Sequence, residues 1–351
     1  MKDVLRLGAV FIGLMVGGGF ASGQEVIQFF SAFGRPGLLG CLVSGALFAV
    51  LVLELYAIGC QLQIHTHQQA MTRLFGRRAA PALDLVLCVC LFCMITVMVA
   101  GGGASIQQQF GLPAAAGSAI MAALAWLAMV CNARRIVDLV GIMTPLVMLM
   151  VTAMLAFALA HPAPPTAPPL PPPPRAAANW LASAVLYVSF NVAGAAPVLL
   201  VVGGQVAHLR TARLGGLAGG AVFGALLLGL AFVLHSQDAL VHGSAVPTLR
   251  LAGRMSPLFG AALLPVILLK LYCSAVGMTY TLAVRLQSFG LPRMAAAAGI
   301  ALGAWGMSQL GFVALVNRVY PAIGYFGLVL MAVILASLAR RSLARPRAAS
   351  A

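Results

Sequence analysis

Ten apolar runs fill this chain, each long enough, at about 20 residues, to cross a ~30 Å hydrocarbon layer. They cover roughly 4–32, 37–63, 82–108, 113–131, 136–160, 179–206, 213–235, 257–284, 292–310 and 319–339. With 62% hydrophobic residues, 8% charged ones and a mean hydropathy of +1.03, the chain reads as a polytopic membrane protein, all-α, with no soluble domain. A net charge of +15 raises the question of nucleic acid. The basic residues lie almost wholly in short loops between apolar runs, which excludes that reading. Sorted by alternate loops with the N-terminus inside, 15 Lys and Arg fall on the inner side and five (Arg35, Arg175, Arg250, Arg254, Arg318) on the outer. That asymmetry predicts ten spans, both termini cytoplasmic, in a bacterial inner (cytoplasmic) membrane.

Between spans five and six the chain reads Pro162-Ala163-Pro164-Pro165-Thr166-Ala167-Pro168-Pro169-Leu170 followed by four more prolines. This is polyproline-II material, a stiff outer linker with no side chain suited to chemistry. It divides the chain into a five-span half over 1–160, a linker over 161–178, a second five-span half over 179–340 and a basic tail over 341–351. Five is odd, so the two halves have opposite orientations in the bilayer.

The first span is interrupted. Val16-Gly17-Gly18-Gly19-Phe20-Ala21-Ser22-Gly23-Gln24-Glu25 sits where a spanning helix ought to continue. Each glycine costs roughly 1 kcal/mol in a helix interior relative to alanine. Ser22 and Glu25 have the spacing of a capping box, a helix-start signal. The stretch therefore predicts two half-helices meeting at an unwound hinge near 17–21, the alternative being a glycine packing face on a continuous helix. Span six carries a matching interruption in Tyr187-Val188-Ser189-Phe190-Asn191-Val192-Ala193-Gly194-Ala195-Ala196-Pro197, with Pro197 in the first turn of a new helix. Gly/Pro-interrupted spans at matching positions of two halves point to a transporter site.

Gly19-Phe20-Ala21-Ser22-Gly23-Gln24-Glu25 followed by Gln28-Phe29-Phe30 resembles the opening helix of the YkvI-type bacterial membrane proteins, relatives of the amino acid–polyamine–cation transporters. The likeness is specific over residues 8–34, and the 5+5 pattern extends it across most of the chain. It implies a LeuT-like fold of two inverted five-helix repeats, helices one and six broken, around a site between spans one, three, six and eight. The proline-rich linker is a departure from the family's usual pattern.

Two broken helices offer free N–H groups for a carboxylate and free carbonyls for an ammonium. Both poles together fit a small zwitterion such as an amino acid. The candidate binding residues are Gly17, Gly18, Gly19, Phe20, Ala21, Ser22, Gly23, Phe190, Asn191, Ala193 and Gly194, with Phe20 and Phe190 capping the cavity. Lys270 lies mid-span, sharing a helical face with Cys273 and Ser274, and an intramembrane lysine is costly enough to be a functional candidate. In sodium-coupled relatives the matching part of span eight holds sodium beside span one. Here the Lys270 ammonium could stand in that place against carbonyls near Val16 and Gly17, with Ser274 and Glu25 completing the coupling position. This disfavours sodium and leaves proton coupling or uncoupled exchange. The structural alternative pairs Lys270 with Glu25 or Glu54.

The remaining groups carry weaker signals. Gly101-Gly102-Gly103-Ala104-Ser105 would let span three approach the hinge closely. Asp84 and Asp138 read as helix-opening charges near the inner surface, and His65 and His67 as interfacial. Cys88, Cys90 and Cys93 lack histidine partners at metal spacing, so neither a metal nor a cofactor is expected. No Ser/His/Asp set, zinc-protease motif or carboxylate pair supports an enzyme. The leading expectation is a secondary transporter of a small zwitterionic or carboxylate solute working by alternating access. The alternative is a ligand-sensing receptor of the same fold.

Overall fold

The computed structural model describes residues 1–130, 133–161, 173–287 and 290–343, without side chains for 73–75, 78–80, 133–142 and 337–343. The proline-rich stretch 162–172, Cys131, the tail from 344 and the side chains of Arg134, Arg135 and Asp138 lie outside the described residues.

The described chain is helical throughout. Its elements are α1 (Lys2–Met15), α2 (Gly18–Ser22), α3 (Gln24–Phe29), α4 (Arg35–Leu62), α5 (His67–Phe110), α6 (Ala114–Leu127) and α7 (Ala133–Ala160). After the linker follow α8 (Trp180–Gly204), α9 (Leu209–Ser236), α10 (Asp238–Val241), α11 (Pro247–Met255), α12 (Pro257–Gln287), α13 (Arg293–Ser308) and α14 (Phe312–Leu343). Among the described residues, seven helices are long and apolar enough to cross a membrane, within α4, α5, α7, α8, α9, α12 and α14. The other three expected spans are the broken α1–α3, the short apolar stretch Ala114–Val130, and the 16-residue α13. α5 bends at Gly76, whose φ of 80° no helix accommodates, and among the described residues its apolar part covers Pro81–Phe110.

The helices sort into two groups. α4 packs on α8 and α9, and α1 lies on α9. Separately, α5, α6, α12 and α13 pack on one another, while α7 and α14 bridge the groups. Glycine makes the first group tight. Along α9, Gly216, Gly220 and Gly224 face the backbone of α4 at Leu53, Ala49 and Gly45, while Gly215 and Gly219 face Leu7 and Gly8 of α1. Gly59 of α4 meets the Leu200 carbonyl of α8, and Gly203 meets Tyr56. In lipid there is little hydrophobic drive between helices, so close approach of backbones supplies the packing energy.

The break in the first span is real but narrower than expected. α1 ends at Met15, Val16 (φ −73°, ψ 69°) and Gly17 (φ −85°, ψ −175°) leave the helix, and Gly18–Ser22 form one helical turn. A second discontinuity falls at Gly23, whose φ of 79° only glycine adopts at little cost. The capping box does not form. Ser22 Oγ donates to the Gly19 carbonyl (2.8 Å) and is a distant acceptor for Gln24 N–H (3.4 Å), while Glu25 turns away to accept from Tyr187 Oη at 3.1 Å. The left-handed Gly23 sets α3 off in a new direction, and a buried phenol then competes for the Glu25 carboxyl more effectively than its own backbone.

Span six is not broken. α8 runs as one helix from Trp180 to Gly204 with Pro197 inside it. One proline removes one N–H, and its neighbours Ala193, Ala195 and Ala196 are strong helix formers, whereas span one must carry three successive glycines.

Candidate functional site

A cavity of about 330 Å³ lies between the two helix groups, walled by α1 and α8 on one side and α5 and α12 on the other. Its deep part is lined by Lys270, Cys273 and Ser274, its α8 wall by Phe190, Asn191, Ala193 and Gly194, and its mouth by His67 and Arg285. From Lys270 to Arg285 is 15 residues of α12, about 22 Å along the axis.

The α8 wall follows directly from sequence. Gly194 has nothing within 4 Å of where a Cβ would stand, so the helix surface is bare there. Pro197 has no N–H, which leaves the Ala193 carbonyl without its ordinary helical donor. Asn191 sits beside it, its Nδ2 donating to the Tyr187 carbonyl at 2.9 Å. Phe190 stacks on Tyr320, centroids 4.8 Å apart at 14°, so its ring position is fixed from behind.

Residues 18–23 of the first span lie behind the cavity rather than on its wall. Gly18 is held against Leu271 of α12, and Gly19 against Glu25 and Tyr320. Phe20 packs on Phe223 of α9 (5.4 Å), so the expected aromatic lid is Phe190 alone. Within α2, Ala21 N–H and Gly23 N–H bond to Gly17 and Phe20 carbonyls, and the Ala21 carbonyl accepts from Thr248 Oγ1 of α11 (2.7 Å). Gly17 is the exception: a Cβ there would come within 4.0 Å of Ser274 Oγ, so the unwound Val16–Gly17 link adjoins the deep wall. Gly101–Gly103 also behave differently from expectation, with Gly102 and Gly103 facing α6 at Met121 and Ala114 and only Gly101 touching Leu271.

Lys270 is 1% exposed, and its Nζ donates to Thr144 Oγ1 of α7 at 3.0 Å. The expected pairing with Glu25 or Glu54 does not occur. Glu25 is engaged by Tyr187, and among the described residues no carboxylate comes within 4.0 Å of the ammonium.

At the mouth, Arg285 Nη1 pairs with Asp84 Oδ1 at 2.8 Å, and His67 Nε2 lies 3.1 Å from the same oxygen and 2.8 Å from Arg285 Nη2. One nitrogen cannot accept from the guanidinium and donate to the carboxylate together. Burial holds the His67 pKa below its ordinary value; Asp84 opposes this and Arg285 adds to it, which favours the neutral ring accepting from Arg285. Cys88 Sγ lies 3.5 Å from Arg285 Nη1. Sequence reading placed Asp84 near the inner surface and His67 at the interface, without linking either to Arg285. Their meeting depends on α5 packing against α12, which local sequence does not encode.

At the opposite end of α5 lies a second cavity of about 320 Å³, lined in part by Gln107, Ala245 and Phe312. Gln108, at the far end of α5, accepts from Ser244 Oγ and Val246 N–H and donates to the Val246 carbonyl, clamping the segment that leads into α11. α11 then covers Ala21 and Gly23.

Sequence comparison agrees with the resemblance at the first span. No family model matches the chain. The chain is 28% identical over 342 residues to the uncharacterized membrane protein YkvI of Bacillus subtilis (strain 168), covering 96% of this chain and 97% of that one. Its homologues are the YkvI-type membrane proteins. YyaD of the same organism is 24% identical over 332 residues, covering 93% and 94%. Among solved structures, inward-facing Mhp1 aligns with a TM-score of 0.66 at 12% identity, over 95% of this chain and 75% of that one. Mhp1, a nucleobase-cation-symport-1 family transporter, in a closed conformation with bromovinylhydantoin bound gives 0.60 at 13% identity, over 94% and 75%. A manganese transporter of Eremococcus coleocola gives 0.51 at 13% identity, over 95% and 76%. At these identities the likeness shows a shared fold, that of LeuT-like transporters.

Proposed function

We propose that this protein is a secondary transporter of a small zwitterionic or carboxylate solute, an amino acid or a relative, working by alternating access. The observation that carries the reading is the cavity between two separately packed helix groups, lined by Lys270 and Ser274 in one part and by His67 and Arg285 in another. The better agreement with the inward-facing than with the closed form of Mhp1 supports taking the mouth as the cytoplasmic side. So does the charge asymmetry, which puts His67 and Arg285 inside.

On this reading α1–α7 and α8–α14 form two inverted repeats of five spans, over 1–160 and 179–340, joined by an outer linker. The protein sits in the bacterial inner membrane with both termini cytoplasmic. The Lys270 ammonium, beside Ser274 and one turn from the Val16–Gly17 link, takes the position at which sodium-coupled relatives hold their ion. A fixed cation there would repel sodium, so transport is sodium-independent, with proton coupling through Lys270 or Glu25, or uncoupled exchange, as the modes that remain.

The test is a thermal-shift screen of purified protein against amino acids and small carboxylates in sodium and in potassium, followed by uptake into proteoliposomes. A ligand that binds only the folded state raises the melting temperature by mass action. Stabilisation and uptake equal in both salts support the proposal. A requirement for sodium overturns the reading of Lys270, and binding without uptake favours a sensor.

A further inference from the structure

The electrostatics of the cavity wall are one-sided. Among the described residues, two basic side chains, Lys270 and Arg285, line it and no acidic one does. Arg285 is neutralised locally, since Asp84 binds its guanidinium at 2.8 Å. Arg285 lies about 22 Å along α12 from Lys270, so the Asp84 carboxylate bound to it does not serve both. Among the described residues Lys270 has one hydrogen bond, to a neutral threonine hydroxyl, for three N–H donors. A buried ammonium lacking a carboxylate is among the least favourable arrangements a membrane interior can hold. Its retention in the wall of a solvent-reachable cavity is explained if the counter-ion arrives with the ligand.

We infer that the solute binds through its own carboxylate to Lys270 Nζ, with Thr144 and Ser274 flanking the ion pair. This deepens the proposed function and rests on it: the ammonium that replaces the coupling cation also recognises the substrate. The second pole lies across the cavity on α8. The Ala193 carbonyl, deprived of its donor by Pro197, and the Asn191 side-chain oxygen, whose amide nitrogen is already engaged, are acceptors beside the open surface at Gly194. They suit a solute's ammonium. The solute thus spans α12 to α8 with its carboxylate at Lys270 and its amino group at Ala193, leaving its side chain toward Phe190 and the apolar wall. A monocarboxylate lacking the amino group should still bind, more weakly; an amine lacking the carboxylate should not.

The experiment uses the full-length protein in detergent and three matched sets: alanine, propionate and ethylamine; leucine, 4-methylpentanoate and isoamylamine; phenylalanine, 3-phenylpropionate and phenethylamine. Thermal shifts and titrations are compared for wild type, Lys270→Met and Lys270→Arg. The expected result is stabilisation by at least one amino acid and its carboxylate analogue but not its amine. Loss of a charged hydrogen-bond partner should weaken that binding roughly 10- to 150-fold in Lys270→Met, with partial recovery in Lys270→Arg. Removal of an uncompensated buried charge should leave ligand-free Lys270→Met at least as stable as wild type, which separates lost binding from lost folding. Stabilisation by amines alone, or by carboxylates equally in Lys270→Met, overturns the inference and leaves a transporter with another recognition mode. No shift from any compound overturns both the inference and the zwitterion or carboxylate class. Binding lost in Lys270→Met but never accompanied by uptake overturns transport and leaves the Lys270 assignment standing.

Discussion

The α4–α9 seam gives the sharpest test of the architecture, through Gly220→Ala. A Cβ on Gly220 would stand 2.5 Å from the Ala49 backbone nitrogen and closer still to its Cα. Ordinary contact begins at 3.4 Å, so the helices must part by about 1 Å (3.4 − 2.5 = 0.9) at that crossing. The obstacle is backbone, which cannot rotate aside as a side chain can. Overpacking of this kind costs about 1–3 kcal/mol, and a radial gap of 0.5–1 Å forfeits roughly a quarter to a half of each neighbouring dispersion contact. The neighbours are substantial, with Phe48 and Phe223 packed edge-to-face at 5.2 Å in the same seam. We therefore expect a loss of about 2–3 kcal/mol, or a fall of roughly 4–6 °C in melting temperature at about 2 °C per kcal/mol for a chain of this size.

The assay is thermal unfolding in one detergent, followed by tryptophan fluorescence, with Gly229→Ala and Gly277→Ala as controls. A Cβ at Gly229 would meet only Leu155 Cδ2 at 3.5 Å, and one at Gly277 nothing within 4 Å. Both should match wild type or exceed it, since alanine is the better helix former by about 0.5–1 kcal/mol. If Gly220→Ala is as stable as the controls, α4 and α9 do not touch as described, and the claim that α4, α8 and α9 form one body fails with it.

Three further outcomes follow from named contacts. Tyr187→Phe removes the donor to Glu25 and should destabilise by about 1–3 kcal/mol by leaving a buried acceptor unpaired; a double-mutant cycle with Glu25→Leu should show most of that cost cancelling. Gly194→Ala should fold and bind normally, whereas Gly194→Leu, projecting into the cavity, should keep the wild-type melting temperature yet abolish ligand stabilisation. The mouth network should be pH-sensitive: the folded pKa of His67 is depressed, chiefly by burial, so its contribution is intact above the unfolded value of about 6.5 and is lost as pH falls through the folded value. The drop in melting temperature between pH 7.5 and 5.5 should therefore shrink in His67→Gln.

How far these features can be read from sequence depends on the range of the interactions involved. The interruption at Val16–Gly17 is legible because three successive glycines penalise a helix whatever surrounds them. The capping box at Ser22 and Glu25 misleads because Tyr187, 162 positions away, competes for the carboxyl. Pro197 misleads in the other direction: its helix-breaking signal is local, but alanines around it and packing against α4 and α14 keep α8 intact. The glycines at 216, 220 and 224 carry a readable four-residue small-residue spacing, while their partners on α4 follow only from the tertiary arrangement. Lys270 is conspicuous as an intramembrane charge, yet its neighbour Thr144 and the absence of a carboxylate within 4.0 Å among the described residues emerge only in three dimensions.

The position of the break acquires a meaning from what holds each side of it. Before Val16, α1 clings to α9, with Leu7 against Gly215 and Gly8 within 3.5 Å of Gly219 as judged from its Cβ position. After Gly17, α2 is held by α12, with Gly18 against Leu271. The unwound link thus joins a half-helix held by α9 to a turn that meets both groups, its Gly18 on Leu271 of α12 and its Phe20 on Phe223 of α9. With α8 continuous, Val16–Gly17 is where the first span can absorb relative movement of the two groups. Gly17 itself does not need to be glycine in this conformation: its φ is −85°, and a Cβ would only reach van der Waals contact with Ser274 Oγ. Gly17→Ala should therefore fold normally, with a melting temperature and ligand-induced shift close to wild type. Its cost should appear in movement, because alanine withdraws backbone freedom worth about 0.5–1 kcal/mol, slowing uptake of the solute found by the screen roughly two- to fivefold. Uptake at the wild-type rate would mean that the groups move about some other point, and that the link at Val16–Gly17 is a fixed bend in the first span and not its hinge.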